Sequence, residues 1–309
     1  MKTACIFSGQ GAQYAGMGRE LFDKHAEARE IFEEADDVLG FSLSSLCFNG
    51  PEEDLKITEN TQPAILTVSV AASRVLESRG LKPDVVAGHS LGEYSALVAA
   101  GALKFADAVA LVKRRGRYMQ EAVPNGVGAM AALLGIDLRT VMDVCERASQ
   151  GQIVAPANLN SESQTVIAGH QQAVERATSL AKESGAKRAI MLQVSAPFHC
   201  ALLKPAEERL GPELDACGFD DPRCPVVTNV DAQPVTVAAA ARDALKRQVS
   251  RPVRWQESVQ WMLGENLKTF VELGPGKVLS GLVRAADKFA LCFNVEDEKS
   301  LENAFGGLL

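Results

Sequence analysis

Apolar residues follow two patterns along this chain. Five short runs, at 3–7, 84–87, 225–229, 269–273 and 290–294, are largely apolar and bounded by Gly, Pro or Asn. Such runs predict strands buried on both faces, as in a parallel sheet covered by helices. Between them apolar positions recur at helical spacing, as at 106–119 and 254–263, so strands alternate with helices. The middle of the chain departs from this. It reads as a strand at 126–136, a helix at 138–150, strands at 153–158 and 164–168, a helix at 171–183 and a strand at 188–193. The order βαββαβ is the ferredoxin-like pattern. Pro124-Asn125-Gly126 opens this unit and Ser195-Ala196-Pro197 closes it. The expected architecture is therefore α/β: a parallel-sheet large domain, residues 1–123 and 198–309, with an inserted ferredoxin-like small domain, residues 124–197. A cleft is expected where the two meet, a usual place for a site.

The run at 84–87 leads into Gly88-His89-Ser90-Leu91-Gly92-Glu93. Two readings compete there. Ser90-x-x-Glu93 fits a helix capping box. Gly-x-Ser-x-Gly fits the nucleophile elbow, in which close-packed glycines thrust the serine hydroxyl out above a sheet. A serine nucleophile needs a base, and the chain has four histidines. His89 should point away from its neighbour's hydroxyl. His25 lies in a charged helical stretch, and His170 opens a small-domain helix. Elimination favours His199, at the proposed domain junction, with a packed core histidine as its alternative. No acid stands at an obvious strand end before His199, and 110 residues follow it, unlike the Ser, acid, His order of ordinary hydrolases. A backbone carbonyl or a side-chain amide is left to orient the imidazole.

Two glycine-rich turns lack nucleotide spacing: Phe7-Ser8-Gly9-Gln10-Gly11, and Gly274-Pro275-Gly276-Lys277. The second reads as turn chemistry. The first could place a backbone N–H beside Ser90, and with the N–H of Leu91 it would form an oxyanion hole. Lys113-Arg114-Arg115-Gly116-Arg117 follows an apolar helix. A solvated face is one reading; an arginine that grips a carboxylate is the other.

Composition narrows the classes. Of 309 residues, 47% are apolar and 23% charged, and the net charge is −7. That balance argues against nucleic acid or an anionic membrane as the main partner. The stretch 95–112 is broken by Lys104 and Asp107, so no membrane span is expected. Residues 1–9 are too short for a secretory signal before the first turn. Seven scattered cysteines without a Cys-x-x-Cys pair suit a reducing cytoplasm, and the histidines lack metal-ligand spacing.

Several of these stretches together resemble the malonyl-CoA:acyl carrier protein transacylase family of bacterial fatty acid synthesis. They are Phe7-Ser8-Gly9-Gln10-Gly11-Ala12-Gln13, Thr61-Gln62-Pro63-Ala64, the Ser90 motif, Arg115-Gly116, Ala155-Pro156-Ala157-Asn158-Leu159-Asn160, Ala196-Pro197-Phe198-His199-Cys200, Pro252-Val253-Arg254-Trp255 and Glu272-Leu273-Gly274-Pro275-Gly276. They span nearly the whole chain. The resemblance implies a hydrolase-like α/β domain carrying the ferredoxin-like insert. It implies Ser90 as the acyl-carrying nucleophile, His199 as general base and acid, and Gln248 orienting His199 through its carbonyl. Gln10 and Leu91 would supply the oxyanion hole, and Arg115 would pair with the malonyl carboxylate. Gln62 and Asn160 would line the site, and Phe198 would crowd the substrate's α-carbon. Malonyl-CoA and the phosphopantetheine-bearing carrier protein are then substrates, with no cofactor. Lys187, Arg188, Lys246, Arg247 and Arg251 are candidates to meet an acidic carrier. A monomer is the default expectation. A thioester hydrolase, a non-catalytic carrier-binding module and a polyketide acyltransferase are the alternatives.

Overall fold

The structure is a computed structural model that describes residues 2–124, 126–194 and 196–308. Asn125 and Ser195, in the turns expected to bound the small unit, lie outside the described residues. The strands are β1 (Thr3–Phe7), β2 (Val85–Gly88), β3 (Gly128–Leu134), β4 (Val154–Ser161), β5 (Gln164–His170), β6 (Arg188–Met191), β7 (Val226–Val227), β8 (Pro234–Val235), β9 (Thr269–Leu273) and β10 (Leu291–Val295).

The larger sheet has the order β10-β9-β1-β2-β7-β8. All its pairings are parallel except β7 with β8. Central β1 shows why the runs are apolar throughout. Its Cys5 and Phe7 enter the core on one face, while Ala4 and Ile6 enter the core on the other. A strand buried on both faces favours apolar residues at successive positions. Strand β8 was not legible in the sequence. It is two residues long and begins with a proline, which an edge strand tolerates because it needs no ladder N–H there. The expected strand at 225–229 is also shorter, ending at Val227. Thr228 and Asn229 turn away from it, and Asn229 becomes fully buried.

The second sheet is antiparallel, in the order β4-β5-β3-β6. Its two helices, Leu138–Ser149 and Gln171–Glu183, pack on one face. The period of two divides β3 between cores: Ala131 and Leu133 face those helices, and Met130 and Ala132 face the larger sheet's core. Strand β4 is tied to the other sheet's helical layer. Val253 N–H donates to the Ala157 carbonyl at 2.9 Å, and Leu159 N–H donates to the Val253 carbonyl at 2.8 Å. The C-terminal ends of β1 and β2 thus face the small sheet across a cleft, where open α/β sheets place their ligands.

Candidate active site

Strand β2 ends at Gly88, and the helix Gly92–Ala99 begins four residues later. Glycine is forced at both ends of this turn. A Cβ on Gly88 would lie 1.9 Å from the Gly92 carbonyl oxygen, and one on Gly92 would lie 2.1 Å from that of Phe7. Ser90 at the corner has φ +53°, a left-handed conformation that costs a side-chain-bearing residue about 1–3 kcal/mol. The capping box does not form. Leu91 occupies the N-cap, with no side-chain cap bond, and Glu93 turns to other partners. Ser90 Oγ instead lies 2.7 Å from His199 Nε2.

His199 also has a positive φ, +59°, and is 3% exposed. Its Nδ1 is 2.9 Å from the backbone carbonyl of Gln248. A carbonyl only accepts, so Nδ1 carries the proton and Nε2 is free to accept from the Ser90 hydroxyl. Burial, followed by the positive charge of Arg115, pushes the His199 pKa down to about 3. The imidazole is therefore neutral, the form a general base requires. The other histidines are engaged elsewhere. His89 Nε2 meets Asn160 Oδ1 at 2.9 Å, His25 pairs with Glu298, and His170 Nδ1 accepts from the Ile153 N–H.

Of the four cations in the 113–117 run, only Arg115 turns inward; it is 1% exposed. Arg114 pairs with Glu213, Lys113 lies over Phe41, and Arg117 lies over Tyr118. Gly116 makes this possible, since a Cβ there would sit 2.7 Å from the Thr58 carbonyl oxygen of the neighbouring helix. That helix, Thr58–Ser78, supplies Gln62. Arg115 Nη1 donates to Gln62 Oε1 at 2.7 Å, and Nη2 donates to Gln248 Oε1 at 2.8 Å and to Ser90 Oγ at 3.1 Å. All three acceptors are neutral oxygens.

A cavity of about 220 Å³ opens over Ser90 and His199. Gln10, Gln62, Arg115 and Phe198 line it, together with Met119, Met130 and Asn158. Asn160 lies on an adjoining cavity of about 290 Å³ that also reaches Gln10 and His89. Gln248 and Leu91 are buried beneath the first cavity's lining. The β1 turn brings Gln10 close: a Cβ on Gly9 would lie 2.6 Å from the His89 carbonyl oxygen. Among the described residues the N–H groups of Gln10 and Leu91 have no hydrogen-bond partner. The turn at 274–277 buttresses the same loop, its Pro275 carbonyl accepting from Ser8 Oγ at 3.0 Å.

Sequence reasoning missed Asn229, Glu93 as a buried site group, Met119 and Met130. Glu93 Oε2 accepts from the Asn229 N–H at 2.9 Å and from Gln248 Nε2 at 2.8 Å. Burial pushes its pKa up to about 7. The available signal for Asn229 was its place just past a strand of the parallel sheet, at the C-terminal end. Two suggested carrier-facing cations are already paired: Lys246 with Asp215, and Arg247 with Asp231 and Asp243.

Cys200, beside His199, is 3% exposed and its thiol donates to the Pro197 carbonyl. Burial pushes its pKa up to about 11. Iodoacetamide at neutral pH should therefore leave Cys200 unmodified in the native protein. Peptide mapping checks this, and rapid native labelling at Cys200 would contradict it.

A serine on a strained elbow, a neutral histidine held by a carbonyl and two N–H groups close to the serine are the equipment of acyl-transfer enzymes as a class. The chain belongs to the acyl transferase domain family, which matches it over residues 4–299. It is similar to the malonyl CoA-acyl carrier protein transacylase of Bacillus subtilis (strain 168), with 49% identity over 304 residues, 98% of this chain and 96% of that protein. The crystal structure of an acyl carrier protein S-malonyltransferase from Vibrio cholerae is 47% identical, with a TM-score of 0.96, covering 98% of this chain and 99% of that one. A malonyl-transacylase solved in complex with its type II PKS acyl-carrier protein is 46% identical, with a TM-score of 0.97, covering 99% and 100%.

Proposed function

We propose that this acyltransferase moves the malonyl group of malonyl-CoA to the phosphopantetheine thiol of an acyl carrier protein, for fatty acid synthesis. The observation that carries this reading is the placement of Ser90 Oγ between a neutral base, 2.7 Å away, and a buried guanidinium, 3.1 Å away. The base fits acyl transfer, and the guanidinium fits an acyl group that ends in a carboxylate. The names of the similar proteins support the same substrates.

The reaction has two halves. Ser90 Oγ attacks the thioester carbonyl while His199 Nε2 takes its proton. The oxyanion rests on the N–H groups of Gln10 and Leu91, with the helix Gly92–Ala99 adding its positive end. Collapse expels coenzyme A as the thiol, protonated from His199, and leaves a malonyl ester on Ser90. The carrier thiol then attacks that ester, with His199 again accepting a proton. Ser90 leaves and regains its hydrogen. Arg115 holds the malonyl carboxylate throughout, and Phe198 packs by the α-carbon. Gln62 positions Arg115, and Gln248 positions both Arg115 and His199. Asn160 and the adjoining cavity offer the thioester arm a path. Residues 1–123 and 198–309 act as the catalytic domain and 124–197 as the small domain. Among the described residues no helix is long and apolar enough to cross a membrane. A monomeric, cytoplasmic enzyme is the accompanying proposal.

Intact-protein mass spectrometry after brief mixing with malonyl-CoA tests this. A malonyl adduct is expected in the wild type and absent in Ser90→Ala, and a carrier-protein thiol should discharge it. Steady release of coenzyme A without an adduct, and without an acceptor, would make the protein a thioester hydrolase instead.

A further inference from the structure

We propose that Asn229 is a positioning residue that clamps the backbone leading into Ser90, on both sides of His89, and so holds the nucleophile in its attacking geometry. The proposal rests on the reading of Ser90 as nucleophile. Asn229 follows β7 and is fully buried. Its Nδ2 donates to the Gly88 carbonyl at 2.7 Å, and its Oδ1 accepts from the Ser90 N–H at 2.7 Å. One amide therefore spans residues 88 and 90. Neither of those groups has a helical partner at this corner, because the strand has ended and the helix has not begun. The left-handed φ of Ser90 needs such an external tie, since the chain alone would relax from it.

Asn229 is itself fixed at both backbone ends. Its N–H donates to Glu93 Oε2 at 2.9 Å, and its carbonyl accepts from the Arg254 N–H at 2.9 Å. The same Glu93 oxygen accepts from Gln248 Nε2, which also donates to the Ser90 carbonyl at 3.0 Å. Gln248 in turn orients His199. Nucleophile and base are thus set by one connected network, and Asn229 is its link to the elbow. The clamp needs a donor and an acceptor on one short side chain. A carboxylate would set an oxygen against the Gly88 carbonyl, whereas a protonated carboxyl would restore both bonds.

That chemistry supplies the test. Formation of the Ser90 ester is timed by quenched flow and mass spectrometry, with malonyl-CoA and with acetyl-CoA, for wild type, N229D and N229A. Measurements at about pH 8 and about pH 5.5 bracket the titration of a buried carboxyl. The group introduced by N229D would lie beside Glu93, on which Arg115 and Asp231 also act. Wild type at each pH removes their titration from the ratio. Near pH 8 both variants are expected to be about 100-fold slow, equally for both donors, because a misplaced nucleophile is blind to the acyl group. The ratio of N229D to wild type should rise about tenfold at the lower pH, while that of N229A stays flat. Wild-type rates in the variants, a loss confined to malonyl, or the same pH-independent deficit in both would overturn the clamp. Should N229D fail to fold, N229A decides by the first two criteria. Absence of a Ser90 adduct in wild type would remove the reading of Ser90, and the clamp with it.

Discussion

His199→Ala is expected to slow formation of the Ser90 ester by about 10²- to 10⁴-fold, the range lost with a general base. The geometry gives the reason. The serine hydroxyl has its acceptor at 2.7 Å, on an imidazole whose other nitrogen is held by a carbonyl. No carboxylate takes part in that pair, and the carbonyl of Gln248 favours the protonated ring too little to hold it. Burial and the Arg115 charge both act against it, and the pKa falls to about 3. In the free protein the His199 ring resonances should therefore stay fixed between about pH 8 and pH 5, while a solvated histidine titrates near 6.5. A spectrum of His199→Ala assigns the resonances by difference. A midpoint near 6.5 for His199 would contradict the assignment. The sign for stability follows from the same depression. The folded protein binds the proton less readily than the unfolded chain does. The contribution of neutral His199 is thus complete above about 6.5 and is lost as pH falls toward about 3.

Much of this site was legible because its residues carry their reasons locally. Gly88 and Gly92 bracket Ser90 at the spacing of an elbow, and the structure shows each glycine against a backbone carbonyl that excludes any Cβ. The alternation of doubly buried strands with helices gave the parallel sheet, and βαββαβ gave the small one. What escaped depends on contacts distant in sequence. Asn229 lies 139 residues from the Ser90 N–H it accepts from, and its place past a strand end does not say which group it would meet. Glu93 sat in a motif that local rules assign to a capping box, yet its carboxylate is drawn to Asn229 and Gln248. Tertiary partners won over the local one. Arg115 was singled out within a basic run, but nothing local said which of four cations would turn inward. Gly116 beside the helix Thr58–Ser78 decides that, through packing.

Arg115→Ala should cut kcat/KM for malonyl transfer by roughly 30- to 5,000-fold and leave acetyl transfer unchanged or raised. The estimate takes about 2–5 kcal/mol for breaking a buried carboxylate–guanidinium pair from one side. The unliganded site favours the upper part of that range. Arg115 donates to neutral oxygens of Gln62 and Gln248, which orient the guanidinium without pairing its charge, and the buried Glu93 acts on it only from beyond hydrogen-bond contact. A carboxylate arriving there meets a desolvated cation already turned toward Ser90. Acetyl has no such group to lose. Its attack is also hindered in the wild type by the bond from Nη2 to Ser90 Oγ, which must be released as the serine attacks. The charge links the two halves of the site as well. It helps hold the His199 pKa down, so a bound malonyl carboxylate that offsets it strengthens the base when the intended substrate is present. In Arg115→Ala that coupling is gone, and the His199 pKa should rise in the free protein. Steady-state rates with both donors, together with the His199 titration in the variant, measure the two effects separately. Equal losses for malonyl and acetyl would show that Arg115 does not read the carboxylate.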